Sequence, residues 1–248
     1  MLDFVRVACA VPDVRVGDAL QNARKHCAIL EKADAQKVDI LVFPELSLTG
    51  YTCQDLFFQD SLNDAALAGL GEILNCSRLH PDVVAVVGLP VRLGCRMFNC
   101  AAVLSGGMVH GLVPKTYIPN YHEFYEKRWF SSGEDLHENQ ALLQIPGMPA
   151  QTVPVLPKAL FALADGTAFG VEICEDLWVA EPPSTSHALA GATVIANLSA
   201  SNETVSKDDY RMLLVKSASA RLLCGYIYTS AGEGESTQDL VFGGHDLI

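Results

Sequence analysis

The chain has 248 residues, half of them hydrophobic, and a formal net charge of −12. That length suits one large domain with a sizeable core, and the acidic balance argues against a nucleic-acid surface or an anionic membrane as partner. No apolar run approaches the ~20 residues of a membrane span, and Asp3 and Arg6 interrupt the first apolar stretch, a poor match to a secretion signal.

In chain order, a strand is predicted over residues 4–11. A helix follows over about 18–35, where Leu20, Ala23, Cys27 and Leu30 give one apolar face. Strands are predicted at 38–43, 83–89 and 100–104, with a second helix within 62–79. The segment 120–139 breaks this rhythm, because Tyr121, Phe124, Tyr125, Trp129 and Phe130 alternate with Glu123, Glu126, Lys127 and Arg128. It reads either as a surface excursion or as a wall of a substrate pocket. Strands at 168–173, 193–197 and 225–229 flank a third helix over about 208–223. Asp208 and Asp209 stand near its N-terminal end, and Tyr210, Leu213, Leu214, Ser217 and Ala218 form its expected buried stripe. The alternation of strands and helices points to an α/β layer architecture. Periodicity leaves open a doubly wound sheet or two sheets covered by helices.

Eight cysteines without a CxxC pair read as free, mostly buried thiols in a reducing cytosol. The seven histidines are scattered, with no metal-ligand spacing. The sequence holds no GxSxG and no phosphate-binding GxxxxGK[ST].

Three short stretches carry chemistry. Glu45 follows Phe43-Pro44 at the end of an apolar run, Lys115 follows Pro114 after another, and Cys174 follows the strand 168–173 before an acidic turn. A thiol, a carboxylate and an amine at strand ends suit hydrolysis of a C–N bond through a thioester. Cys174 would attack, Glu45 would shuttle the proton, and Lys115 would hold the oxyanion beside the backbone N–H after Cys174. Glu172, Glu175 and Asp176 oppose ionisation of the thiol, whereas Lys115 and a helical turn at Glu175 favour it. Glu172 shares a strand face with Cys174, so a pairing with Lys115 is expected. Singly, each residue has an ordinary explanation: a core thiol, a turn cap, a surface amine. A Cys–His mechanism through His122 or His187 stays open.

The stretches Phe43–Tyr51, Pro114–Tyr117 and Glu172–Trp178 resemble the three signatures of the nitrilase (carbon–nitrogen hydrolase) superfamily in order and spacing. The runs Tyr121–Phe130 and Ala231–His245 are similar to segments of glutamine-dependent NAD synthetases. The resemblance covers essentially the whole chain. It implies an α-β-β-α sandwich of two mixed sheets flanked by helices, able to form four layers. It implies Glu45, Lys115 and Cys174 as catalytic residues, and Tyr121, Ser201, Lys207, Glu175 and Tyr51 as substrate-binding residues. Glu126 and Glu172 would stand behind them. Asn202 and Ser206 occupy positions where the family usually has Pro and Gly, which points to a displaced Lys207.

The resemblance further implies one glutaminase domain over 1–248, truncated at its C-terminal end and lacking the synthetase domain. That domain would release ammonia from L-glutamine for ATP-dependent amidation of deamido-NAD. No cofactor is implied here, since ATP and Mg²⁺ would serve the synthetase domain. A cytoplasmic homo-oligomer is expected. A stand-alone amidase or carbamoylase is the rival enzyme reading, and a truncated domain serving as an assembly surface is the non-enzymatic one.

Overall fold

Near-continuous apolar runs, buried on both faces, build two mixed sheets, seen in a computed structural model that describes residues 4–248. Asp3 lies outside the described residues. The first sheet holds β1 (Val7–Cys9), β2 (Ile40–Val42), β3 (Val84–Leu93), β4 (Arg96–Ser105) and β5 (Met108–Pro114), in that order. β1, β2 and β3 run parallel, while β4 and β5 turn antiparallel. Two small hairpins follow, β6 (Asn120–Tyr121) with β7 (Phe124–Tyr125), then β8 (Gln140–Leu143) with β9 (Gln151–Pro154). The second sheet comprises β10 (Leu160–Ala162), β11 (Ala168–Ile173), β12 (Val194–Ser199) and β13 (Gly225–Ser230), and only its β10–β11 pair is antiparallel. The helices are α1 (Ala19–Ala35), α2 (Asp60–Ser77), α3 (Pro183–Leu189) and α4 (Lys207–Leu222).

Successive side chains of a strand point to opposite faces, and this sorts the core into layers. Ile40, Val42, Val86, Ala101 and Val103 meet Phe169, Val171, Ile173, Ala196 and Leu198 between the sheets. Their neighbours Leu41, Ala85, Val87 and Ala102 face α1 and α2 with Leu30, Leu70 and Leu74. Ile195, Tyr226 and Tyr228 face the other way, toward Val215 and Ala218 of α4. The result is the expected α-β-β-α sandwich.

The helix faces differ from the expected ones at informative places. Leu20 is exposed, and the inward face of α1 carries Asn22 and His26 instead. Both are tolerated in the core because they are hydrogen-bonded. Asn22 Nδ2 donates to the Leu48 carbonyl (3.0 Å), and His26 Nε2 lies 3.0 Å from Ser47 Oγ. They tie the loop that carries Glu45 to α1. On α4, Tyr210 and Leu213 are exposed, and the buried stripe is Arg211, Val215 and Ala218. Arg211 can point inward because Glu203 and His245 accept from its Nη1 and the Asn202 carbonyl and Ser201 Oγ accept from its Nη2. Strand β5, implied by the placement of Lys115 at a strand end, was given no range of its own because Gly111 and His110 break its apolar run; the Gly106-Gly107 pair before it, with φ of 57° and 83°, is a hairpin signal for its start.

One glycine positions the site. The Pro44–Leu46 backbone lies directly on β3 at Gly88, where a Cβ would sit 2.5 Å from the Pro44 carbonyl oxygen. That neighbour is backbone and cannot rotate away. Gly88→Ala is therefore expected to destabilise the fold by about 3 kcal/mol and to displace Glu45; urea unfolding beside a turnover assay measures both.

Candidate active site

The three chemistry-bearing stretches converge where β2, β5 and β11 end. β11 finishes at Ile173, and Cys174 then adopts φ 45°, a left-handed conformation that a non-glycine residue holds only when its surroundings enforce it. Asp176 does much of the enforcing. Its buried carboxylate accepts the N–H groups of Ile173 (3.0 Å), Tyr117 (2.8 Å) and Thr116 (3.4 Å). One side chain thus ties the Cys174 turn to the Lys115 turn. Burial pushes the Asp176 carboxyl up to about 8, against the pull of those N–H donors.

Lys115 and Glu45 are fully buried, and Glu126 nearly so. Lys115 Nζ donates to Glu45 Oε1 (2.6 Å) and to Glu126 Oε1 and Oε2 (2.8 and 2.9 Å). Glu45 Oε1 also accepts from Asn99 Nδ2 (2.6 Å), and its Oε2 accepts from the Ala200 N–H (3.0 Å). Tyr51 Oη donates to Glu126 Oε1 at 2.7 Å. Burial opposes the charge on Lys115, but the carboxylates of Glu126 and Glu45 outweigh it and hold the ammonium well above its ordinary range. Burial raises the Glu126 carboxyl to about 7, with Lys115 opposing and Glu45 reinforcing the shift. The Cys174 thiol is also pushed up, first by burial and then by the Glu45 charge, while Lys115 and the Ala200 N–H act in the opposite sense. A resting thiol beside a carboxylate acceptor is the state from which a base-assisted attack starts.

A cavity of about 340 Å³ opens over Cys174, lined by Tyr121, Glu123, Phe124, Glu175, Ser201 and Lys207 among others. Tyr121 Oη donates to Glu175 Oε2 at 2.8 Å. Lys207 Nζ lies 5.3 and 5.4 Å from the ring centroids of Phe124 and Trp178 and donates to Asn202 Oδ1. Burial lowers the pKa of this ammonium. Four expected binding residues therefore share one cavity with Cys174. Lys207 lines the cavity, and Ser206 before it takes φ 64°, the left-handed turn that a glycine would otherwise give. The segment 120–130 is a pocket wall, since Tyr121–Phe124 line the cavity and Glu126 reaches Lys115.

Tyr51 and Glu172 depart from expectation. Tyr51 is not among the residues lining this cavity; it is buried behind it, against Glu126. Glu172 does not pair with Lys115. It accepts from the Ser184 N–H (2.8 Å) and from Tyr226 Oη, on the α3 side of the sheet. The chain turns sharply at Cys174, so two-residue alternation does not carry across that position. His187 packs against Gly170 from α3, and His122 lines the cavity; among the described residues no hydrogen bond joins either to Cys174. Asn99, a single polar residue inside the apolar run of β4, is the site residue that sequence reasoning missed. A larger cavity of about 750 Å³, at the opposite ends of the parallel strands, contains none of the expected site residues.

The sequence profile of the carbon-nitrogen hydrolase family matches residues 6–245. The chain belongs to this family. It is 42% identical over 248 residues to the glutamine-dependent NAD(+) synthetase of Mycobacterium leprae, covering 99% of this chain and 35% of that protein. It is 44% identical over 251 residues to the Mycobacterium tuberculosis enzyme of the same name, again covering 99% and 35%. The carbon-nitrogen hydrolase chain thus spans about a third of the length of these relatives. Among solved structures, a glutamine-dependent NAD(+) synthetase from Cytophaga hutchinsonii superposes with a TM-score of 0.80 at 27% identity, over 99% of this chain and 39% of that one. The NitN amidase superposes with a TM-score of 0.77 over 98% and 84% of the two chains. At 18% identity that likeness speaks for the fold alone. No helix among the described residues is long and apolar enough to cross a membrane.

Proposed function

We propose that this carbon-nitrogen hydrolase is a glutamine amidohydrolase, converting L-glutamine and water to L-glutamate and ammonia. The observation that carries the reading is the Lys115 ammonium held between Glu45 and Glu126 at the site of Cys174. Glu45 takes the thiol proton as sulfur attacks the amide carbon. The carbonyl oxygen becomes an oxyanion, stabilised by Lys115 and the backbone N–H after Cys174. All three Lys115 donors already have partners, so the oxyanion gains one only as a carboxylate bond lengthens. The C–N bond then breaks, and ammonia leaves with the proton carried by Glu45. Water, deprotonated by Glu45, attacks the thioester; glutamate departs and the thiol is restored.

The cavity walls suit an amino acid. Lys207 offers a cation for an α-carboxylate, and Glu175 offers an anion for an α-ammonium. In the longer relatives, named for glutamine-dependent NAD synthesis, the ammonia would pass to a synthetase domain that amidates deamido-NAD with ATP. Purified protein should release ammonia and glutamate in equal amounts from L-glutamine, and Cys174→Ala should release neither. Turnover of other small amides with none of glutamine would favour a stand-alone amidase or carbamoylase instead.

A further inference from the structure

The segment 232–245 binds two parts of the chain that stand behind the pocket wall. On one side, Glu235 Oε2 accepts the Tyr51 N–H at 2.6 Å, and the Glu235 carbonyl accepts from Thr52 Oγ1 at 3.2 Å. Phe242 meets the Tyr51 ring edge-on, with centroids 5.8 Å apart. Elsewhere, the Val241 carbonyl accepts the Glu203 N–H at 2.7 Å, and His245 Nδ1 lies 2.8 Å from Nη1 of Arg211, whose Nη2 donates to Ser201 Oγ at 3.3 Å.

The Tyr51 contact is the more consequential. Tyr51 opens the 3₁₀ segment Tyr51–Phe58, and Gly50 before it provides no side-chain cap. The first N–H groups of such a segment need an acceptor. Glu235, 184 residues away in sequence and itself buried, supplies one. Tyr51 is thereby held at its backbone by Glu235 and at its ring by Phe242, with its hydroxyl directed at Glu126. The chain of contacts runs from Glu235 through Tyr51 and Glu126 to Lys115 and Glu45. We propose that Glu235 is a positioning residue for the Glu126 carboxyl, acting through Tyr51. The inference rests on the reading of Glu45, Lys115 and Cys174 as a hydrolytic site. Burial pushes the Glu235 carboxyl up to about 8, so Glu235→Gln, which keeps the acceptor oxygen, is a close mimic of the form present at neutral pH.

The test is a double-mutant cycle between Glu235→Ala and Tyr51→Phe in the whole chain, with Glu235→Gln as the conservative variant. Two readouts are followed: kcat and KM on glutamine, and the rate of Cys174 alkylation by iodoacetamide. Tyr51→Phe removes a donor that keeps Glu126 ionised. A more neutral Glu126 should acidify the thiol and speed alkylation roughly threefold. Loss of placement should lower kcat about tenfold with KM within about twofold. Glu235→Ala is expected to reproduce both changes, Glu235→Gln to restore most of kcat, and the double variant to be no worse than Tyr51→Phe alone. Wild-type values in Glu235→Ala, or effects that multiply in the double variant, would overturn the proposal. If wild-type protein turns over no glutamine, the glutaminase reading fails, and the alkylation arm alone decides the role of Glu235. If Glu235→Ala does not fold by circular dichroism, Glu235→Asp takes its place; it withdraws the carboxyl from Tyr51 by one methylene and is judged by the same criteria.

Discussion

Lys115→Met should be the most damaging single change in the molecule. Met matches the length of the lysine stem but removes the ammonium shared by Glu45 and Glu126, two carboxylates that are buried. Breaking a buried pair from one side costs about 3–5 kcal/mol, because the remaining charge has neither water nor partner. Here the penalty should depend on pH. Even with Lys115 present, burial holds the Glu126 carboxyl at about 7 rather than the ordinary 4.5. A carboxyl raised on folding contributes stability that is complete below its unfolded pKa and is lost as pH rises through its folded pKa. Without the ammonium the Glu126 carboxyl should move further up. Lys115→Met should therefore be mildly destabilised near pH 5 and strongly so at pH 8, a trend that urea melts at the two values would show. Its turnover should fall at least about a hundredfold at either pH, since the main oxyanion donor is gone. A loss of stability independent of pH would contradict the arrangement of charges described above.

Glu45→Gln separates proton transfer from architecture. The amide can still accept from Asn99 and Lys115 through one oxygen, but its NH₂ group then faces the Ala200 N–H, which Glu45 Oε2 accepts in the native chain. One hydrogen bond is lost, at a cost of about 1–3 kcal/mol, and the fold should survive. Turnover should drop by about 10²–10⁴, the usual worth of a positioned general base. The thiol should behave differently. The Glu45 charge is one of the causes that raise its pKa, so the variant should be alkylated at Cys174 at least as readily as the wild type. Lost turnover with retained thiol reactivity identifies a proton carrier. Parallel loss of both would make Glu45 a structural support only.

The parts of this account legible in the sequence were those encoded locally. Strands β2, β11 and β12 follow from short aliphatic runs and β13 from Tyr226, Ile227, Tyr228 and Thr229, and the placement of Glu45, Lys115 and Cys174 at strand ends is a matter of adjacency in the chain. What was not legible depends on partners distant in sequence. The buried face of α4 is centred on Arg211 because Glu203 pairs with its charge and His245 accepts one of its hydrogen bonds, and no helical periodicity announces that. Lys115 chose Glu126 over Glu172 because Cys174 leaves the strand at positive φ, which breaks the alternation that made Glu172 a candidate. Asn99 could have been suspected as a polar residue within an apolar strand, but its partner Glu45 is 54 positions away. The same holds for Asp176, whose place in the acidic turn was visible and whose three N–H donors were not.

In the proposed reaction the Cys174 sulfur attacks the side-chain carbonyl carbon of glutamine bound in the cavity of about 340 Å³. A diazoketone analogue of glutamine, which alkylates a thiol placed at that carbon, tests it most directly. After brief incubation and peptide mapping, modification is expected at Cys174 alone among the eight cysteines, suppressed by excess L-glutamine. Labelling spread over exposed thiols such as Cys95, or labelling of Cys174 that glutamine does not suppress, would contradict it.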